Sequence, residues 1–152
     1  MRFTEMCEAL EQVRHWHLEI AKRFGDAATE ANTGPRARLL FDYMGSRHEL
    51  FAHGVEEFMT ECPAVERDSW AKHPEHGEKL DDVLRRMERS SVGLEEAEDL
   101  GVAVNAFFID LFDQLARGSD SRQVREVFES LMAGAKKEQT KLSRNVNLMQ
   151  DF

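Results

Sequence analysis

Apolar residues recur along this chain at alternating steps of three and four. From Met6 the series runs Leu10, Val13, His17, Ile20, Phe24, Ala27; from Ala37 it runs Phe41, Met44, His48, Phe51, Val55, Phe58. Residues so spaced share one face of an α-helix, so each series predicts the buried stripe of an amphipathic helix. Each stripe carries a histidine near its middle, where a dry core would hold an aliphatic group. A third stripe reads Leu94, Ala97, Gly101, Val104 or Asn105, Phe108, Leu111 or Phe112, Leu115, with Asn105 as its polar member. A fourth reads Val124, Phe128, Leu131, Ala135, Glu138, Leu142, with Glu138 as its polar member. Four stripes, each interrupted by a polar group, predict a helical bundle with a polar layer partway along it.

Start and stop signals bound these helices. Thr4, with Glu5 behind it, marks an N-terminus, and Asn32-Thr33-Gly34-Pro35 ends the first helix and opens the second. The expected spans are about 4–31, 35–59, 93–117 and 121–147, the last capped by Ser119, Asp120 or Ser121. Gly45 beside Met44 suggests a close approach of two helices. Residues 60–78, with Pro63, Pro74 and Gly77, read as an irregular crossover anchored by Val65, Trp70 and Ala71. A short helix over 79–89 follows, carrying Leu80, Val83, Leu84 and Met87. No segment alternates as a strand would. The reading is all-α: one domain over 1–152, with four long helices and a long crossover containing a short extra helix. The stripe period, near 3.5, favours crossings of about 20°.

The two halves repeat one another. Ala37-Arg38-x-x-Phe41-Asp42-x-Met44 aligns with Val124-Arg125-x-x-Phe128-Glu129-x-Leu131 at a shift of 87 positions. With His17-x-x-Ile20-Ala21-x-x-Phe24, Arg38-x-x-Phe41-Asp42-Tyr43-Met44 and Asp68-Ser69-Trp70, the chain resembles the ferritin-like superfamily, nearest to its small rubrerythrin-related bacterial members. The resemblance covers nearly the whole chain and implies a ferritin-like up-down four-helix bundle. Dimetal members of that family hold two ions with a Glu from each of two helices and Glu-x-x-His from the other two. Transferred position by position, the first Glu falls on His17 and the first pair on His48 and Phe51. The second Glu falls on about Asn105, and the second pair on Ala135 and Glu138. None keeps its family residue, and Phe51 and Ala135 cannot ligate. The resemblance therefore implies the frame without the iron chemistry.

The chain has 29 acidic and 20 basic residues among 152, a net charge of −9. Nucleic acid and anionic membrane surfaces need a basic footprint and are poor partners for it. No apolar run reaches the length of a membrane span, and no signal peptide is expected from Met1-Arg2-Phe3. Cys7 and Cys62 stand in unrelated settings and are expected as reduced thiols of a cytoplasmic protein. No phosphate loop, nucleophile elbow or His-Glu-x-x-His run is present.

The candidate site is thus the polar layer of His17, His48, Asn105 and Glu138. One reading buries the histidines against Asn105, Glu138, Tyr43 or water. A second is a single-metal site of His17, His48 and Glu138, suited to zinc or another imidazole-binding ion. A third is a histidine pair that titrates near neutral pH. The spacing from His48 to His53 is similar to hemerythrin-like helices, but His53 falls off the inner face. His73-Pro74-Glu75-His76 reads as a solvated loop. Trp16 and Phe107, each beside a stripe residue, hint at a homodimer surface. The expectation is a non-enzymatic bundle without cofactor that acts through protein contacts; the alternative is a metal-binding protein or metal-dependent oxidoreductase with an altered His/Glu site.

Overall fold

The structure, a computed structural model, describes residues 2–63, 74–86 and 93–150, with the backbone alone at 74 and 75. Its helices are α1 (Phe3–Thr29), α2 (Pro35–Phe58), α3 (Pro74–Arg85), α4 (Leu94–Arg117) and α5 (Arg122–Gln150). The chain is all-α, and no strand occurs among the described residues. The four long helices lie within a few residues of their predicted spans. α2 and α5 begin 87 positions apart, the shift of the sequence repeat.

The main boundary correction is α3. It begins at Pro74, five residues ahead of the predicted start at Lys79. Proline has no N–H to lose and a φ already helical, so it opens a helix as readily as it ends a loop. The predicted end at Arg89, the anchors Val65, Trp70 and Ala71, and Asp68-Ser69-Trp70 lie outside the described residues. Thr4 is not a cap either: the helix is entered at Arg2, and no side chain caps it.

The remaining caps follow local chemistry. Thr33 Oγ1 donates to the Ala27 carbonyl at 2.7 Å, while Arg38 reaches back to the carbonyls of Thr33 and Glu30 at 3.0 and 3.1 Å. Carbonyls left open at the end of α1 are thereby satisfied from the turn and from α2. The Glu96 carboxylate accepts from the Gly93 N–H at 3.1 Å, and the Ser121 hydroxyl accepts from Val124 N–H at 3.4 Å.

α1 and α2 pack as one antiparallel pair, α4 and α5 as another. At Gly45 a Cβ would lie 3.3 Å from the Ala21 carbonyl oxygen and 3.7 Å from Gly25 N, the close approach its position suggested. Gly101 of α4 faces Met44 and Leu142, and farther along α4 Phe108 faces His17 and His48. Rising numbers on α4 thus meet rising numbers on α2, so these two helices run in the same direction. Such neighbours cannot be joined by a tight turn, which is why the long connection lies between them. Buried side chains from all five helices form one core, with Phe24, Phe41, Phe108, Phe112 and Phe128 fully enclosed and Leu80 and Leu84 fastening α3. Each buried phenylalanine contributes about 1.5–3 kcal/mol of transfer free energy.

The cysteines correct an expectation. Cys7 and Cys62 form a disulfide, with Cα atoms 5.6 Å apart. The antiparallel α1–α2 pair brings the start of α1 beside the segment leaving α2, within the reach a disulfide requires. Their local settings are unrelated because the pairing is made by the helix pair. The cytoplasmic expectation rested in part on reduced thiols, and that part of its support is gone. No helix among the described residues is long and apolar enough to cross a membrane.

Candidate functional site

His17 and His48 meet because the stripes of α1 and α2 face each other. Their Nδ1 atoms are 2.9 Å apart, and both side chains are almost wholly buried. One Nδ1 must carry a proton and the other a lone pair, so the rings adopt different tautomers. The His17 ring stacks on Phe108, with centroids 4.0 Å apart and planes 18° from parallel. Phe51 lies against both imidazoles, and Phe24 against His48. Burial pushes His17 well below the ordinary value of 6.5, and the adjacent His48 adds to this. Burial, then the charge of Arg47, lowers His48 to about 3. The pair is neutral at neutral pH, so it is not the near-neutral switch that two histidines suggested.

Glu138 is held separately. Its Oε1 accepts from the Tyr43 hydroxyl at 3.0 Å and its Oε2 from Arg47 Nε at 3.0 Å. Burial and the neighbouring carboxylate push the Tyr43 phenol up, keeping it a neutral donor. The Arg47 guanidinium also lies 5.3 Å from the Phe51 ring centre, a cation–π contact. A carboxylate this deep needs a cation and a hydrogen bond to offset its lost hydration. Tyr43 and Arg47, four residues apart, bring both from one face of α2. Sequence reading named Tyr43 only as a partner for the histidines and missed Arg47. The signal was present: a stripe glutamate demands a cation on a facing helix.

Asn105 is also buried. Its Nδ2 donates to Gln139 Oε1 at 3.0 Å, and Gln139 Nε2 donates to the Val102 carbonyl at 3.5 Å. The four polar stripe residues therefore belong to three arrangements: a histidine pair, a charge pair with a phenol, and an amide pair.

This donor set does not fit a dimetal centre. Two imidazoles joined to each other, one amide and one carboxylate already bound by a guanidinium provide no bridging carboxylates. Among the described residues, no three His, Cys, Asp or Glu side chains converge, and His17, His48 and Glu138 do not form the expected three-ligand set. His53 is exposed and sits 3.5 Å from Glu56. His73 lies outside the described residues, and His76 stands in the first turns of α3. Trp16 and Phe107 meet each other edge to face at 5.5 Å, so that pair no longer argues for a second copy.

The end of the α2 stripe departs from a simple core. Phe51 is half-buried and Phe58 is 37% exposed, because a partly open apolar cleft of about 180 Å³ lies between α2 and α5. His17, Asn105, Phe108, Phe112 and Ala135 form its buried floor. Leu50, Glu57, Phe58, Ser130, Leu131 and Gly134 lie around its mouth. The stripes do not reveal this cleft, since they place apolar groups without saying how well they fill space. The chain matches no protein-family model, no curated protein and no solved structure.

Proposed function

We propose that this chain is a ferritin-like four-helix bundle, related to the small rubrerythrin-like proteins, that acts by binding and not by redox chemistry. The parallel run of α2 and α4, with α3 in the connection between them, supports the ferritin-like reading. The observation carrying the functional reading is the cleft between α2 and α5, an apolar recess ending on two uncharged polar side chains, His17 and Asn105. A concave apolar site with a few convergent polar groups is the usual form of a small-molecule site. The cationic demand of Glu138 is met by Arg47 from within the chain.

Metal analysis of protein purified without chelators tests this. The expected result is no stoichiometric iron, manganese or zinc. Stoichiometric metal that disappears in His48→Ala would overturn the proposal in favour of a metal-binding protein or a metal-dependent oxidoreductase.

A further inference from the structure

The cleft has a definite chemistry, and the following inference rests on the binding reading above. Its size comes first. At about 180 Å³ it slightly exceeds the roughly 150 Å³ of an apolar protein cavity that admits benzene. It is too small for most drug-sized ligands, whose sites run from about 300 Å³ upward. Gly54 on α2 and Gly134 on α5 border this space, and a Cβ at either would meet nothing within 4 Å. Each glycine costs about 1 kcal/mol against alanine inside a helix. By contrast, Gly45 and Gly101 are called for by packing, since a Cβ there would press on α1 or on Met44 and Leu142.

The walls come second. Phe51 and Phe58 line the cleft, with Phe108 and Phe112 among the buried residues beneath them, and aromatic side chains pack favourably against another aromatic ring. The floor comes third. His17 has Nδ1 committed to His48 and makes no other hydrogen bond among the described residues. Nε2 is then the polar atom it can offer. Asn105 has its Nδ2 on Gln139, leaving Oδ1 without a hydrogen bond among the described residues. Both side chains are more than nine-tenths buried and both border the cleft. Buried polar atoms without partners are costly, and a ligand group that bonds to them recovers that loss. A hydroxyl both donates and accepts, so it suits either tautomer of His17 and also the Asn105 oxygen. Charge comes last. The floor carries no cation, Glu57 stands at the mouth, and the chain is at −9, all of which disfavour a carboxylate or phosphate.

We propose that the α2–α5 cleft binds a neutral one-ring aromatic molecule carrying a hydroxyl group, its ring among the four phenylalanines and its hydroxyl on His17 Nε2 or Asn105 Oδ1.

Titration calorimetry of the metal-free protein at neutral pH, with phenol, toluene and benzoate as probes, tests this. Phenol is expected to bind saturably with a Kd at or below about 1 mM. Toluene should bind roughly 5–10-fold more weakly, the worth of one hydrogen bond. Benzoate should be weaker by about tenfold or more, because its charge would be desolvated without a partner. Gly134→Leu should abolish phenol binding while circular dichroism stays helical. Gly54→Ala, a smaller change, should weaken binding several-fold even if the leucine variant fails to fold. Absence of saturable phenol binding overturns the ligand class, as does toluene or benzoate binding as tightly as phenol. Unchanged affinity in both glycine variants overturns the site. These failures are distinct from that of the binding reading, which falls on stoichiometric metal.

Discussion

Acid should destabilise this protein through its buried histidine pair, and the burial of both imidazoles sets the sign. His48 titrates near 6.5 when unfolded and at about 3 when folded. Between those values the unfolded chain binds a proton that the native state refuses, so stability is full above about pH 6.5 and falls as pH falls. From pH 7 to pH 5, this one group removes about 2 kcal/mol. His17, also lowered by burial, adds a loss of the same sign. The assay is urea unfolding at pH 5, 6 and 7, read by circular dichroism on wild type and on His17→Leu/His48→Leu. The double variant removes both imidazoles together, leaving no half of the pair unsatisfied. Surface carboxylates titrate alike in the two proteins, so their contribution cancels in the difference. Wild-type stability minus variant stability should fall by at least about 2 kcal/mol from pH 7 to pH 5. A difference that stays constant over that range would refute the reasoning, because it would mean that the imidazoles are hydrated in the native state.

Three further outcomes follow from the packing. Arg47→Met should cost about 2–4 kcal/mol in urea unfolding, since it strands the Glu138 carboxylate; Arg47→Met/Glu138→Leu should recover most of that loss, as apolar replacement of both partners removes the desolvated charge. Gly45→Ala should destabilise by about 1–3 kcal/mol by pushing α1 and α2 apart, because the atom its Cβ meets at 3.3 Å is backbone and cannot swing away. Reducing the Cys7–Cys62 bond, which links residues 55 positions apart, should lower the unfolding free energy by about 2–4 kcal/mol, and an unchanged urea midpoint in dithiothreitol would count against the bridge.

Much of the local structure was legible in the chain. The alternating steps of three and four located all four long helices, and every member of the Met6–Ala27 stripe is buried. The polar residues within the stripes are buried with them, because a helix cannot turn one position out of its inner face. Gly45 marked a close approach for a similar reason: a missing side chain on an inner face matters chiefly where a second backbone comes near. The start of α3 was not legible, since proline and histidine beside glycine read equally well as a loop.

What the sequence determined by itself is therefore periodic: which residues are helical, which face turns inward, and that polar groups stand on that face. That information is local, because it arises from neighbours three and four positions apart on one helix. The tertiary structure decided the partners. It joined Cys7 to Cys62, set His17 against His48, gave Glu138 to Arg47 and Tyr43 and left a cleft beside Phe58. Those outcomes depend on the direction, rotation and offset of one helix against another, set by packing energies summed over the whole core. Many relative placements satisfy the same stripes, and only close packing of the actual side chains selects among them.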